Sequence, residues 1–377
     1  METITAPALF DLLAPKPYGL MIEITSKCNL RCVYCPKSLE GNDDIPGRNE
    51  DMLQAVVEGT AQLITESSFS ELLLAGTGET TFHPGWQAIV KDFVIKGKSR
   101  NPQSAIMVNS NLANDYSDSD LDTLLLLDII VISIDTIDPA TTRSVRRKSS
   151  IEKIFFNISK LTARAASRSV RKPQIVLNCT LTDRVHKDIR NLFLLAGEFA
   201  VDRLTISDVQ ELGELPGRFN FSSVTRLPHH ELVALAKDLN DCITLSQQSE
   251  PRRYPAIQVQ GSLIQLINER LSNPDMPPAS EAAPDTHIAE GHTRICLQPW
   301  TRFTIGANGD VFPCCVTLMD PLTTLQKDPN PFYSDSARAF REGLIRGGKH
   351  VPEPCRACTN APVSPVSSLA SRIMTLA

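Results

Sequence analysis

Between residues 20 and 210, short apolar runs alternate with amphipathic stretches, and this alternation limits the fold more than any other feature of the chain. Strand candidates are Leu20–Thr25, Glu71–Ala75, Ala105–Asn109, Ile129–Ile134, Gln174–Thr180 and Arg203–Ser207, mostly rich in Ile, Val or Leu as buried parallel strands are. Helix candidates at 50–66, 85–97, 118–127, 151–168 and 186–199 fall between them. Six successive strand–helix units describe a parallel sheet with helices outside, two short of the eight units that close a full barrel. The expected fold is therefore α/β, a partial (β/α)6 TIM-like barrel, with its site at the C-terminal ends of the strands. Beyond residue 210 the pattern weakens. Helices are predicted near 229–247 and 258–272, and SNPDMPPASEAAPDTHIAEGH reads as a mobile linker or lid.

Cys28, Cys32 and Cys35 follow the first strand directly, in a C-x3-C-x2-C spacing. Thiolates are soft ligands that hold iron–sulfur clusters, and four saturate a cubane. Three leave one iron open to bind a small molecule and pass it an electron. A second set comprises Cys296, Cys314, Cys315, Cys355 and Cys358. FTIGANGDVF reads as a hairpin turning at Asn308-Gly309, which brings Cys296 toward Cys314 or Cys315, and Cys355-x2-Cys358 adds a pair. Four such thiols suit a closed cluster or a structural zinc. Ten cysteines in a 377-residue chain without a secretory signal fit metal ligation in a reducing cytoplasm better than disulfides. The net charge of −5 argues against broad nucleic-acid binding. No apolar run approaches the ~18 residues of a membrane span.

The first cysteine set, the apolar run LMIEIT before it, the Asn29-Leu30-Arg31 interior and Tyr34 resemble the radical S-adenosylmethionine (SAM) superfamily. The resemblance implies a [4Fe–4S] cluster on Cys28, Cys32 and Cys35 whose open iron chelates SAM. Reductive cleavage then gives methionine and a 5′-deoxyadenosyl radical that abstracts a substrate hydrogen. It also implies that Tyr34 packs near the adenine. Gly76-Thr77-Gly78-Glu79 resembles the family's GGE motif, which contacts the SAM amino group. Asn109 ends the third strand and Ser133 and Asp135 end the fourth. The resemblance places Ser133 near the SAM carboxylate and Asp135 near ribose or substrate; turn capping is the alternative for all three. Within the basic run Arg143, Arg146, Arg147 and Lys148, the resemblance singles out Arg146 as a contact to SAM or substrate. Of Asn178 and Cys179, strand alternation puts only one inside the barrel.

Cys296-x12-Gly309-x4-Cys314 resembles the start of the SPASM and shorter twitch extensions. Five cysteines in this small C-terminal cysteine-rich cluster-binding extension imply one auxiliary [4Fe–4S] cluster on Cys296, Cys314, Cys355 and Cys358. Cys315 is the alternative to Cys314, and zinc the alternative metal. The expected layout is an N-terminal segment (1–17), a core barrel (18–210), a helical connection and mobile linker (211–293) and the auxiliary cluster domain (294–377). With no cobalamin domain before the core and only 18 residues for a leader-peptide-binding domain, neither a cobalamin-dependent methylase nor a peptide maturase with such a domain in the same chain is expected. The leading expectation is oxidation of a small molecule or peptide side chain, with the auxiliary cluster as electron acceptor and Asp135 or Glu79 as candidate base. Redox-neutral epimerisation, with Cys179 or Cys242 returning a hydrogen atom, or decarboxylation is the second expectation, and a non-catalytic metal-binding scaffold the third. The resemblance also implies a flavodoxin- or ferredoxin-type reductant. A cytoplasmic location and no membrane or nucleic-acid partner complete the expectations.

Overall fold

Seven strands run parallel and side by side in chain order: β1 (Gly19–Ile22), β2 (Glu71–Leu74), β3 (Ala105–Ser110), β4 (Ile129–Ser133), β5 (Gln174–Leu181), β6 (Arg203–Asp208) and β7 (Ala256–Val259). The computed structural model describes residues 14–38, 49–209, 221–248, 253–261, 263–273, 287–315, 319–358 and 361–376. Helices α1 (Gln54–Glu66), α2 (Trp86–Arg100), α3 (Asp118–Leu124), α4 (Pro139–Val145), α5 (Ile151–Arg168), α6 (Ile189–Glu198), α7 (His229–Gln248) and α8 (Leu263–Ser272) connect or follow the strands. Local signals set the starts of several. Ser117 closes a capping box with Asp120, Asp138 caps α4 with Pro139 behind it, and Ser150 accepts the Lys153 amide at the head of α5.

One face of this sheet is dry. Leu72, Leu74, Ile106, Val108, Ile130, Ile132, Ile175, Leu177, Leu204 and Ile206 are in phase across the register and join the main hydrophobic core with residues of the helices. The alternate residues, among them Asn109, Ser133, Asn178 and Thr205, lie on the opposite, inner face. Helices on one side and an inner face that turns polar toward the C-terminal strand ends, at Asn109, Ser133 and Asn178, are the arrangement of a partial TIM-like barrel.

The structure extends the expected six units. Ala256–Val259 is a seventh parallel strand, where the sequence reading had a connecting region entering a helix at 258. The segment is four residues long, only partly buried and interrupted by Gln258, so it lacks the Ile/Val/Leu density that marks its neighbours. The Pro-rich stretch at 272–292 lies largely outside the described residues.

The C-terminal hairpin joins the same sheet. Strand β8 (Arg302–Ile305) runs parallel along the free side of β1, and β9 (Asp310–Phe312) and β10 (Thr323–Thr324) continue antiparallel outward. Gly309, at φ +89°, makes the turn between β8 and β9, as the Asn308-Gly309 pair predicts. Phe303, Ile305 and Val311 enter the main core. Helices α9 (Asp335–Arg346) and α10 (Val366–Met374) instead form a second, smaller core around the fully buried Trp300, with Ile295, Leu344, Ile345, Leu369 and Ile373.

Candidate functional site

The loop after β1 carries Cys28, Cys32 and Cys35, and three neighbouring segments hold it. Thr25 pairs with Asp51 in an isolated bridge, its hydroxyl donates to Asp51 Oδ1 at 2.7 Å, and Lys27 meets Asp51 Oδ2 at 2.7 Å. Gly78 lies flat against the loop: a Cβ there would collide with the backbone carbonyls of Thr25 and Lys27, and the Glu79 amide donates to Lys27 O at 2.8 Å. Gly76 is needed for a different contact, since a Cβ there would overlap the carboxylate of Glu23. The third brace is a two-residue antiparallel bridge of Arg31–Cys32 with Arg146–Arg147.

Two buried carboxylates beside the loop are saturated. Glu79 receives the hydroxyls of Thr81 and Ser110 at 2.8 Å each, the Asn111 amide at 2.7 Å and the Thr81 amide at 3.3 Å. Burial pushes its carboxyl up, against those donors. The Thr81 hydroxyl also meets the Tyr116 hydroxyl at 2.9 Å, and Asn114, Asn29 and Asn111 extend the network toward Cys28. Asp135 is held by Arg146, Tyr34 and the Thr180 amide.

A third carboxylate, Glu23, escaped the sequence reading because it interrupts an apolar run like any outward polar residue. It is 5 % exposed. Its Oε1 accepts from the Thr77 amide, from the Thr77 hydroxyl at 2.7 Å and from the Gly78 amide at 3.3 Å. Oε2 accepts no hydrogen bond among the described residues. Burial raises its carboxyl, with the Thr77 and Gly78 donors and the nearby Lys37 charge opposing.

Ser133, Asn178 and Thr205 form one register row on the inner face. Asn109 stands on the same face of β3 and is exposed. Cys179 does not: it is completely buried with Leu177 and Leu181 on the helix-covered face, its thiol 3.5 Å from the Asp135 carbonyl oxygen, and burial pushes it well up. It is Asn178, not Cys179, that alternation places inside. Cys242, on α7, is likewise buried in the core.

No disulfide joins any of the ten cysteines. Burial pushes Cys28 up to about 11 and Cys32 up to about 12, the latter against the pull of Arg146, and raises Cys35 too. Donors already point at the sulfurs: the Leu30 amide lies 3.4 Å from Cys28 Sγ, Asn111 Nδ2 4.0 Å from the same atom, and Arg146 Nη1 4.0 Å from Cys32 Sγ. Three thiols bordered by N–H donors fit a cluster whose sulfurs carry negative charge.

The second thiol set gathers at the far ends of the hairpin. Cys355 feels the charges of Cys296, Cys314 and Cys358, and Cys296 those of Cys358 and Cys315. Arg294 ties the loops together, donating to the carbonyls of Cys355 and Ala361 at 2.9 Å each and of Arg356 at 2.6 Å. Thr304 on β8 donates to the Cys314 carbonyl at 2.8 Å, while Cys315 is exposed. Among the described residues no three His, Cys, Asp or Glu side chains are gathered for a single metal ion. The soft donor set fits a multi-iron cluster, which spreads its thiolates more widely than one ion does.

Comparison with known proteins agrees with this geometry. The radical SAM superfamily model matches residues 22–171, and the SPASM iron-sulfur cluster-binding domain matches residues 296–359. Residues 22–171 thus carry a radical SAM domain and residues 296–359 a SPASM domain, and the two domains imply a SAM-binding [4Fe–4S] cluster and an auxiliary cluster. Among curated relatives, it is 25 % identical over 197 residues to the tungsten-containing aldehyde ferredoxin oxidoreductase cofactor-modifying protein of Pyrococcus furiosus, covering 51 % of this chain and 52 % of that protein. It is 25 % identical over 221 residues to GTP 3′,8-cyclase of Rhodopseudomonas palustris, covering 56 % and 60 %. The matches thus span little more than half of either relative. Among solved structures, Streptococcus suis SuiB bound to precursor peptide SuiA superposes with a TM-score of 0.59 at 14 % identity, covering 88 % of this chain and 68 % of that one. The protein anSMEcpe, with bound AdoMet and Cp18Cys peptide, gives 0.55 at 15 % identity, covering 96 % and 99 %. At these identities the likeness is one of fold. Among the described residues no helix is long and apolar enough to cross a membrane.

Proposed function

We propose that this enzyme oxidises a substrate C–H group, with the auxiliary cluster as electron acceptor and a peptide side chain as the favoured substrate. The observation that carries the reading is the pairing of β8 with β1, continued where the Glu23 amide donates to Ile305 O at 2.9 Å. Cys296 and Cys314 thereby flank a hairpin whose first strand is hydrogen-bonded to the one that leads into Cys28, at the other end of that strand pair. When loaded, the first cluster supplies the electron that cleaves SAM, and the auxiliary cluster supplies an electron sink. The balance is then one hydrogen atom to the deoxyadenosyl group, one proton to a base and one electron to the auxiliary site.

The remaining work falls to the protein. Gly76 and Gly78 allow the backbone close approach beside Cys28. Ser133, Asn178 and Thr205 offer uncharged hydrogen-bonding groups on the inner face, with no side-chain hydrogen bonds of their own among the described residues. Such a row suits the amides of a polypeptide. The peptides bound to SuiB and anSMEcpe, which share this fold, favour the same substrate class. Of the three carboxylates at the site, Glu79 and Asp135 are committed to internal donors, and Glu23 keeps one oxygen available. We assign the proton to Glu23. Cys314, anchored by Thr304, is the preferred auxiliary ligand over the exposed Cys315. The four auxiliary ligands are then Cys296, Cys314, Cys355 and Cys358.

The test is anaerobic reaction of the reconstituted enzyme with SAM, dithionite and a peptide library, read by 5′-deoxyadenosine and product mass. A product two mass units lighter is expected, on the order of one per deoxyadenosine. A product unchanged in mass in ordinary water but about one mass unit heavier in D2O would replace oxidation by epimerisation. The buried, outward-facing Cys179 and the core position of Cys242 speak against that second reading.

A further inference from the structure

Tyr34, Asp135 and Arg146 close on one another directly behind Cys32. Arg146 grips Asp135 with two parallel bonds, Nε to Oδ2 at 2.7 Å and Nη2 to Oδ1 at 2.9 Å. The Tyr34 hydroxyl donates to Oδ2 at 2.6 Å, and the guanidinium carbon lies 5.4 Å from the Tyr34 ring centre. The Thr180 amide takes up Oδ1 at 3.0 Å. Asp135 is 2 % exposed and Arg146 7 %. Burial alone disfavours the guanidinium, but Asp135 first, then Tyr34 and Cys32, keep it charged.

This group is tied to the cysteine loop by backbone as well. Cys32 pairs with Arg146 across the two-residue bridge, and the Val33 amide donates to Val145 O at 2.9 Å. With Nε and Nη2 spent on the carboxylate, the Nη1 nitrogen is left 4.0 Å from Cys32 Sγ. A planar fork fixed on one side by a carboxylate has a fixed direction on the other, which a lysine cannot reproduce. N–H donors and positive charge beside a cluster sulfur stabilise the reduced, more negative state and raise its potential.

We propose that Tyr34, Asp135 and Arg146 form a positioning clamp that fixes Cys32 and aims one guanidinium N–H at its sulfur, so that the SAM-binding cluster is easier to reduce. In this role Arg146 acts on the cluster through a ligand and is already occupied before SAM arrives.

The test uses the full-length, doubly loaded enzyme without SAM, titrated potentiometrically and followed by electron paramagnetic resonance, with iron counted. The auxiliary cluster serves as reference in the same chain. Arg146→Gln is expected to lower the midpoint of the Cys28/Cys32/Cys35 cluster, or to lose its about four irons selectively, while the auxiliary midpoint stays at the wild-type value. Tyr34→Phe is expected to shift the same midpoint in the same direction by less. Arg146→Lys is expected to leave the midpoint lowered; a wild-type midpoint in it would mean that charge alone suffices and would overturn the aimed N–H. Wild-type iron and midpoint in Arg146→Gln would overturn the clamp altogether. If that variant loses both clusters, Tyr34→Phe decides: an unchanged midpoint and line shape reject the proposal.

Discussion

The two cysteine sites are held by opposite means. The first sits at the ends of parallel strands and is braced by buried side-chain networks, with Glu79 saturated on one side and Asp135 on the other. The second sits on loops whose chief tie is a single arginine, Arg294, bonded to three backbone carbonyls. Cations also differ: Arg146 acts on both Cys32 and Cys35 in the first site, whereas in the second Arg302 acts on Cys315 and Arg294 on Cys355. The first site is thus preorganised by the fold, while the second depends on metal to finish its shape. Loss of the first site should therefore stop chemistry, and damage to the second should leave SAM cleavage intact.

The largest effect is expected from replacing Cys28, Cys32 and Cys35 together with alanine. Iron should fall from about eight to about four per chain and deoxyadenosine formation should vanish. Iron unchanged by the triple replacement would break the division into two sites. Next, Arg294→Met removes three charge-assisted bonds to carbonyls, a loss on the order of 3 kcal/mol at the second site. Auxiliary iron should drop while deoxyadenosine formation persists, and a parallel loss of both would show that the sites are not independent.

Glu23→Gln keeps an acceptor for the Thr77 amide and hydroxyl but removes the base. Substrate oxidation should slow by about a hundredfold while deoxyadenosine continues to form. Because burial raises the Glu23 carboxyl, the wild-type oxidation rate should rise with pH through a midpoint above the ordinary carboxylate range, as the ionised form appears. The variant should lack that limb; an identical profile would remove Glu23 from the chemistry. Smallest is Tyr116→Phe, which deletes one hydroxyl from the Glu79 network and should cost about 1 kcal/mol in thermal unfolding, with both iron sites retained. Loss of cluster iron in this variant would mean that the network is more brittle than its several donors suggest.

Much of this was legible in the sequence, for identifiable reasons. Six strands were readable because Ile, Val and Leu are dense where a strand is buried by helices, and α5 was readable because Ser150 caps a strongly amphipathic run. The seventh strand and the short α4 lack that density or length. The cysteine sets and the glycine motif declare themselves by spacing. Asp135 and Arg146 were each visible singly, but nothing in a linear chain says that they grip each other rather than a ligand. Glu23 and Tyr116 were missed because their importance lies entirely in what packs against them from distant segments. The side of β5 on which Cys179 falls depended on the phase of its register with β4 and β6, which no single strand reveals.

The pairing of β8 with β1 also bears on how the molecule is made. Until Arg302–Ile305 emerges, long after β1 itself, that side of β1 lacks the strand that pairs with it in the sheet. An open strand edge is a template for unwanted pairing, and contacts between strands so far apart in sequence close slowly. The barrel therefore waits on β8, and the strand left with an open edge in that interval is the one that presents the first cluster's cysteines.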